Sequence, residues 1–207
     1  MTLLFNEWRL LPQRFAVHVP TATAVLADLH LGYTAARQRL GDAIPNRGVF
    51  EEMQPLADAA AALKVGKLIV AGDLFERRFD AEFYHQFLNV LDRLKIEFVG
   101  LVPGNHDRGV GRAERRLPLF PDGYDLNGWH IVHGDRPIEK PRAVFGHLHP
   151  AVRVNGSKQP CFLTRGTHLI LPAFSLDAAG IDVSAHSRWS DWSCYSVNGM
   201  YVAKLTR

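Results

Sequence analysis

Thr23-Ala-Val-Leu-Ala-Asp-Leu-His30 is an apolar run that leads directly into two side chains of metal-binding type. The run from Thr23 to Ala27 shows no alternation of polar and apolar residues, which is typical of a strand buried on both faces of a parallel sheet. Asp28 and His30 follow at the end of that strand. Ligands and active sites lie at the carboxyl ends of the strands in open α/β sheets. The stretch therefore predicts a buried strand with functional side chains at its end.

The same arrangement recurs after four further apolar segments. Each segment ends in Asp, Asn or His, in most cases beside a glycine. The five polar groups are Asp28-Leu-His30, Gly72-Asp73, Gly104-Asn-His-Asp107, His133-Gly-Asp135 and Gly146-His-Leu-His149. One such group alone is more often a turn or a cap. Five of them, each after a predicted strand, indicate a metal cluster.

Strands and helices alternate over the first 105 residues, and the rest of the chain is mostly β. Helical spacing predicts a helix over 47–63, which Pro55 either kinks or delays, and a helix over 81–94 capped by Asp80. Strands are predicted over residues 3–11, 15–19, 23–27, 67–71, 96–102, 128–132, 142–145, 151–154, 161–164, 168–171 and 195–204. The pattern indicates an α/β fold, and without a Pro-, Gly- or Ser-rich linker we predict one domain over 1–207.

Composition excludes several classes of protein. The chain has 207 residues, 47% of them hydrophobic, 22% charged, and a formal net charge of +3, which rules out wholesale disorder and a polybasic pattern. Ten histidines stand against two cysteines, so a reduced compartment is favoured. Neither a secretory leader nor a membrane span can be recognised. We therefore predict a cytoplasmic protein with no membrane partner.

The types of ligand narrow the choice of metal. Asp, Asn and His offer oxygen and imidazole nitrogen but no thiolate, which suits Mn, Fe, Co, Ni or Zn. Seven ligands are too many for one tetrahedral zinc site, but they suffice for two ions that share a bridging carboxylate. The seven predicted ligands are Asp28, His30, Asp73, Asn105, His133, His147 and His149. We predict two divalent metal ions, with Mn favoured.

The five polar groups, in this order, resemble the calcineurin-like metallophosphoesterase superfamily. A closer resemblance is to the small phosphoesterases related to the SbcD nuclease, which include the DNA-ligase-associated metallophosphoesterases. The segments that carry it are Trp8-Arg-Leu-Leu-Pro-Gln-Arg14, Ala27-Asp-Leu-His-Leu-Gly-Tyr33, Gly146-His-Leu-His-Pro-Ala-Val-Arg153 and Leu171-Pro-Ala-Phe174. Serine/threonine phosphatases usually carry Gly-Asp-x-x-Asp-Arg-Gly, whereas Gly72-Asp-Leu-Phe-Glu-Arg77 stands here, which argues against a protein phosphatase.

The resemblance implies a four-layer arrangement of two packed mixed β-sheets flanked by α-helices. It also divides the ligands between two metals, with Asp73 bridging. One metal would be held by Asp28, His30, Asp73 and His149, and the other by Asp73, Asn105, His133 and His147. His106 would lie just outside the metals as a catalytic residue, and Asp107 would orient its ring.

Two metals of this kind generate hydroxide near neutral pH, and a bridging hydroxide would attack phosphorus in line. His106 would then stabilise the developing charge or protonate the leaving oxygen. We predict a phosphodiesterase, such as a nuclease in DNA repair. The alternative is a phosphomonoesterase or pyrophosphatase that acts on a nucleotide or another small phosphorylated substrate. A non-catalytic scaffold with this fold is disfavoured because every ligand position is intact.

Several arginines follow the Gly72-Asp73 and Gly104–Asp107 groups, where they would contact further phosphates of a nucleic acid. A solvated basic surface explains them equally well. The predicted substrate contacts are Arg77, Arg108 and Arg112, and Arg78, Arg115 and Arg116 lie in the same segments. The predicted partners are a phosphate-ester substrate, either DNA or a nucleotide, and by resemblance DNA-repair proteins. The oligomeric state stays open.

Overall fold

The first half of the chain builds a six-stranded sheet. The computed structural model describes residues 3–113, 117–198 and 201–202. The strands of this sheet are β1 (Leu3–Phe5), β2 (Trp8–Leu10), β3 (Ala16–His18), β4 (Thr23–Leu26), β5 (Lys67–Ala71) and β6 (Glu97–Val102). They lie side by side in chain order. The first four strands pair antiparallel, whereas β4, β5 and β6 are parallel, so the sheet is mixed.

Helices cover the outer face of this sheet. They are α1 (Tyr33–Arg39), α2 (Val49–Glu52), α3 (Gln54–Leu63), α4 (Ala81–Leu94) and α5 (Val110–Ala113). Met53 and Leu56 of the α2–α3 segment share one apolar cluster with Phe87 of α4 and with buried residues of β4 and β5. The helix predicted over 47–63 is two helices that meet at Met53, because Pro55 occupies the first turn of α3 and has no N–H to continue α2. Helix α1 was not predicted.

The second half of the chain builds the other sheet. Its strands are β7 (Tyr124–Leu126), β8 (Trp129–Val132), β9 (Ala143–Phe145), β10 (Pro150–Val154), β11 (Ser157–Arg165), β12 (His168–Ile170), β13 (Ile181–Asp182), β14 (Ser193–Ser196) and β15 (Tyr201–Val202). Their order is β13-β10-β11-β12-β9-β8-β7, and β14 pairs with both β11 and β15. Strands β8, β9 and β12 are parallel neighbours, and β10–β11 is an antiparallel hairpin. This sheet is therefore mixed as well.

The two sheets pack face to face. Trp8 and Val25 of the first sheet lie in one apolar cluster with Trp129 and Val144 of the second, and the rings of Trp8 and Trp129 meet edge to face with centroids 5.7 Å apart. The outer face of the second sheet is covered by the chain around Trp189 and Trp192, where short 3-10 helices occur, so α-helices flank only the first sheet. The predicted pair of packed mixed sheets is confirmed.

Most predicted strands lie within one or two residues of the observed ones. The exceptions are residues 3–11, which form the hairpin β1–β2, residues 161–164, which are the end of the longer strand β11, and residues 195–204. That last segment contains parts of β14 and β15, and residues 199–200 and 203–204 lie outside the described part. Cys161 and Cys194 are free thiols, both buried. No helix in the described ranges has the length and apolar character needed to cross a membrane.

Candidate metal centre

The loops that follow five strands meet at one edge of the sandwich. Those after β4, β5 and β6 come from the first sheet, and those after β8 and β9 come from the second. Hydrogen bonds join the loops directly. The amide of Asp28 donates to the carbonyl of Gly72 (3.0 Å), and the amide of His147 donates to the Asp28 carboxylate (2.9 Å). The structure thus brings together all seven side chains that the sequence predicts as ligands.

Asp28, His30 and His149 form the first group. One nitrogen or oxygen of each lies within 4.8 Å of the others. The Oδ1 atom of Asp28 is 3.4 Å from Nε2 of His149, and the rings of His30 and His149 have centroids 5.4 Å apart. The Asp28 carboxylate is fully buried. A buried carboxylate beside two imidazoles is a donor set suited to a divalent transition metal.

Asp73, His133 and His147 form the second group, with Asn105 beside it. Nε2 of His133 is 3.5 Å from Oδ2 of Asp73, 3.1 Å from Oδ1 of Asn105 and 3.1 Å from Nδ1 of His147. Nδ1 of His133 is only 3.7 Å from Oδ1 of Asp28, so the two groups adjoin. Their membership corresponds to the two metal sites that the family resemblance implies.

Backbone strain is concentrated at these residues. Five of the seven have a positive φ, in the region that side chains other than glycine rarely adopt. They are Asp28 (56°), His30 (54°), Asp73 (50°), His147 (66°) and His149 (43°). Gly72 has φ +91°, and a Cβ there would overlap the imidazole of His133. Strained backbone of this kind occurs at functional sites, where the surrounding structure holds it in place.

Buried polar atoms without hydrogen-bond partners provide a test of metal binding. Among the described residues, Oδ1 of Asp28 and Nε2 of His30 are buried and make no hydrogen bond, whereas Nδ1 of His30 faces the Glu76 carboxylate at 3.1 Å. Such atoms are rare in folded proteins because losing water without a replacement partner is costly. A divalent cation would satisfy all of them. The residues present therefore fit a metal centre.

The charges of the centre shift its imidazoles in opposite directions. Burial disfavours the charged form of His30, but the hydrogen bond that its ring donates to Glu76 and the carboxylates of Asp28 and Asp73 outweigh this effect, so the pKa of His30 is raised. Burial and then the charge of His133 lower the pKa of His147. A lowered pKa keeps an imidazole neutral, the form that binds metals.

His106 lies beside the first group. Its ring is edge-on to that of His30, with centroids 5.0 Å apart, and its amide donates to Oδ1 of Asp73 (2.8 Å). Its Nδ1 lies 2.5 Å from the main-chain carbonyl oxygen of Glu76. A carbonyl oxygen can only accept a hydrogen bond, so the nitrogen that faces it must be the donor. Nδ1 therefore carries a proton, and Nε2 is left for other contacts.

Asp107 has a different role from the one predicted. Its Oδ1 accepts from the amide of Phe75 (3.0 Å) and its Oδ2 from the amide of Gly104 (2.9 Å), and no hydrogen bond to the His106 ring is found. Asp107 is buried, which raises its pKa to about 6. The carboxylate cross-links the two metal-site loops after β5 and β6, and the prediction that it orients His106 is corrected.

Sequence reasoning missed Glu76. Its Oε2 atom is 3.1 Å from Nδ1 of His30, and the pair forms a third possible metal-binding group with His106. Its position three residues after Asp73, in the same loop, was the signal available. The imidazole of His30 can donate to this carboxylate through Nδ1, and that would leave Nε2 for a metal.

The predicted substrate arginines are spread around the centre. Arg77 and Arg108 are exposed, in the segments that follow Glu76 and Asp107. The carbonyl of Arg108 accepts from the amide of Phe79 (3.2 Å), so these two segments are in contact. The backbone of Arg112 belongs to α5 but its side chain lies outside the described part, as do residues 114–116, which include Arg115 and Arg116.

The chain is similar to a known protein family and to solved structures. The family model described as calcineurin-like phosphoesterase matches residues 22–194. Among solved structures, the crystal structure of the Pseudomonas putida nuclease MPE is similar to this chain with a TM-score of 0.77 and 20% sequence identity. The likeness covers 95% of this chain and 96% of that one. No curated protein matches the chain.

Proposed function

The chain belongs to the calcineurin-like phosphoesterase family and is a metal-dependent hydrolase of phosphoric esters, and from this premise we propose that it hydrolyses phosphodiesters as a nuclease. The observation that carries the proposal is the pair of adjoining ligand groups. Asp28 of one group and His133 of the other are 3.7 Å apart, so two cations would lie side by side, as in-line attack on a phosphoryl group requires.

We assign the ligands of the two ions as follows. Asp28, His30 and His149 would hold one ion, and Asn105, His133 and His147 would hold the other. Asp73 would contribute to both, because its carboxylate lies beside His133 while its loop is hydrogen-bonded to His30 through the backbone (2.9 Å). The oxygen and imidazole donors suit Mn better than a thiolate-seeking metal.

The chain's own residues then prepare the reaction. When bound, the two ions polarise the phosphoryl oxygens and supply a nucleophile at neutral pH. His106, with Nδ1 held by the Glu76 carbonyl, directs Nε2 to the substrate. In its charged form this ring stabilises the departing oxygen or protonates it. Asp107 keeps the loop that carries His106 against the loop that carries Asp73 by binding an amide from each side.

Two observations favour a nucleic-acid diester. The structural neighbour is a nuclease, and the two chains match over nearly their full length. Two exposed arginines, Arg77 and Arg108, also follow the predicted ligands Asp73 and Asn105 within four residues of the chain, and with Arg112 they are our proposed phosphate contacts. By the resemblance to the DNA-ligase-associated phosphoesterases we further propose a role in DNA repair.

The deciding experiment compares bis-p-nitrophenyl phosphate with p-nitrophenyl phosphate, with Mn²⁺ added or with EDTA. We expect hydrolysis of the diester in Mn²⁺ and none in EDTA. Preference for the monoester would indicate a phosphomonoesterase instead of a nuclease. Activity that survives EDTA would show that the reaction does not need a metal ion. Labelled single- and double-stranded DNA then provide the nuclease assay.

A matched pair of variants ties the activity to the site. Asp73→Asn removes the bridging carboxylate, and we expect the Mn²⁺ content measured by mass spectrometry to fall from two ions per chain to one or none. Asp92→Asn makes the same change at an exposed position of α4. It should retain both ions and full activity. Equal metal content in the two variants would contradict the assignment of Asp73.

A further inference from the structure

A cavity of about 360 Å³ opens beside the metal centre, between α1 and the loop that leads into α4. Its walls include Arg39, Arg77 and Arg78, and we call it the arginine cavity. We propose that the arginine cavity binds a second phosphate of the substrate, so that the enzyme prefers strands with a phosphate next to the one being hydrolysed. The inference rests on the proposed function, since the scissile phosphate must lie at the metal centre.

The arginine cavity carries positive charge that the protein does not neutralise. All three guanidinium side chains are exposed, and none is ion-paired with a described residue. Other arginines of the same region are paired: Arg37 with Asp42 (2.5 Å) and Arg47 with Asp177 (2.8 Å). Arginine side chains without an ion-pair partner are well suited to bind phosphate oxygens, because they form charge-assisted and often bidentate hydrogen bonds.

Both acids in the cavity wall are already engaged elsewhere. Glu76 has its carboxylate 3.1 Å from Nδ1 of His30. Asp80 is the N-cap of α4, where its Oδ1 accepts from the amides of Glu82 and Phe83 (3.0 and 3.3 Å). The wall carries three guanidinium groups against two carboxylates, so its net charge is positive. The cavity therefore favours an anion.

The arginine cavity is fixed relative to the metal centre. The amide of His30 donates to the carbonyl of Asp73 (2.9 Å), and one residue further on the amide of Leu31 donates to the carbonyl of Leu74 (2.8 Å). The amide of Glu76 in turn donates a hydrogen bond to the carbonyl of Leu31 (3.1 Å). The two walls are thus continuous with the loops of two predicted ligands.

An aromatic ring completes the cavity. Phe83 packs directly onto Gly32, where a Cβ would lie 2.6 Å from its ring, and Gly32 has φ +84°. The half-buried ring presents an apolar surface next to the guanidinium groups. Aromatic rings combined with basic groups are typical of sites for single-stranded nucleic acid. This favours an oligonucleotide over inorganic pyrophosphate as the source of the second phosphate.

The kinetic test compares the dinucleotide dTpdT with the same dinucleotide carrying a 5′- or a 3′-phosphate, with the Mn²⁺-loaded enzyme. We expect kcat/KM to be about tenfold higher for one of the phosphorylated forms, the effect of one charged hydrogen-bonded contact. Arg39→Gln, Arg77→Gln and Arg78→Gln should each reduce that preference. Arg93→Gln, at the other end of α4, is the matched control and should keep it.

The outcomes separate this inference from the proposed function. If wild-type enzyme hydrolyses none of the diesters, the nuclease proposal fails. If it hydrolyses all three dinucleotides with equal kcat/KM, or if the three cavity variants keep the preference, the second phosphate site is wrong and the nuclease stands. Release of inorganic phosphate instead of nucleoside would identify a phosphomonoesterase.

A binding measurement checks the same site without turnover. Fluorescence anisotropy of labelled octathymidylate with hydrolysis-resistant phosphorothioate linkages is recorded with the Mn²⁺-loaded enzyme at several salt concentrations. Each lost phosphate contact should make the slope of log affinity against log salt about 0.7 less steep for a single strand. We expect this change in the three cavity variants and not in Arg93→Gln. Unchanged slopes, or no binding by wild type at low salt, would overturn the inference.

Discussion

The imidazole of His106 is held by the backbone, not by a side chain. Because Nδ1 is bound to the carbonyl of Glu76, the ring orientation survives changes at neighbouring side chains. We expect His106→Ala to keep both Mn²⁺ ions but to slow hydrolysis of DNA by about 100-fold or more, the usual loss when a general acid is removed. Turnover is measured on DNA and on bis-p-nitrophenyl phosphate, with metal content determined in parallel.

Substrates with different leaving groups distinguish the two possible roles of His106, proton donation and charge stabilisation. p-Nitrophenolate needs little protonation, so hydrolysis of bis-p-nitrophenyl phosphate should fall less than hydrolysis of DNA. Equal losses on both substrates would favour charge stabilisation over proton donation. Wild-type rates on DNA would show that His106 takes no part in the reaction.

Residue identities could be predicted where a local pattern marks them. Asp73 and His133 follow mainly apolar strands, and the end of such a strand is where the sheet presents side chains to a ligand. Glu76 lies in a loop and Arg39 is the last residue of α1, so neither is marked by a preceding strand. The partners of Asp107 are two amides that only the closed loops bring near it, so its role could not be derived from sequence.

Helix α4 begins at a well-defined cap. Asp80 accepts hydrogen bonds from the amides of Glu82 and Phe83, and its negative charge complements the helix N-terminus. We expect Asp80→Ala to lower the free energy of unfolding by about 1 kcal/mol in urea denaturation. Asp80→Asn retains the accepting oxygen and should lose less. If the Asp80→Ala and Asp80→Asn variants have the same free energy of unfolding, the hydrogen bonds of the cap contribute little to stability.

Helix α2 places a carboxyl group inside the protein. Glu52 is buried, and burial, reinforced by the negative charge of Asp177, raises its pKa to about 8 from its usual 4.5. Between these two pH values the unfolded chain ionises Glu52 while the folded chain keeps it protonated. The free energy of unfolding therefore falls as pH rises, by up to about 1.4 kcal/mol per pH unit, and levels off above pH 8.

Urea denaturation of Glu52→Gln between pH 4.5 and 8 isolates this effect. The variant cannot ionise, so its stability relative to wild type should increase steadily with pH over that window. Glu51→Gln, one residue away and exposed, is the control, and its difference from wild type should stay constant. A constant difference for Glu52→Gln as well would mean that Glu52 ionises normally in the folded protein.

Elements with strong local signals were predicted closely. Strand β5 and helix α4 have the bounds that the sequence predicted, because one has an unbroken apolar run and the other a cap and an amphipathic face. Helix α1 starts at Gly32 without a side-chain cap and buries only Thr34 and Ala36, so its sequence gives little helical signal. The short strand β7 also gives little local signal, because its pairing with β8 defines it.

The metal centre connects the two sheets of the whole molecule. Asp28, Asp73 and Asn105 follow strands of the first sheet, whereas His133 and His147 follow strands of the second. Bound ions therefore stabilise the docking of one sheet on the other. At a free Mn²⁺ concentration 100 times the dissociation constant, we expect each bound ion to add about 2.7 kcal/mol of stability and to raise the Tm by about 5 to 10 °C above its value in EDTA.

Calorimetry with Mn²⁺ and with EDTA measures this shift. Because both sheets contribute ligands, the transition should move as one peak without splitting. Asp73→Asn should show a smaller shift than Asp92→Asn. If the Tm is the same in Mn²⁺ and EDTA, the ions do not bind the folded chain as assigned.

The packing of two mixed sheets could be stated in advance only through the family resemblance. Local patterns mark the strands, but the order β13-β10-β11-β12-β9-β8-β7 depends on pairings between segments far apart in the chain. Such pairings follow from the global fit of two faces, which no short window of sequence contains. That the whole chain is one domain stays a prediction.

The division of ligands between the sheets has a consequence for the timing of synthesis. A ribosome that has released only the first 130 residues has produced Asp28, His30, Asp73 and Asn105, but none of the predicted histidine ligands from the second sheet. The nascent chain then holds only part of the predicted metal site and no cleft closed over it. Under the proposed ligand assignment, hydrolytic capacity would therefore arise late in synthesis, after the last of these strands emerges.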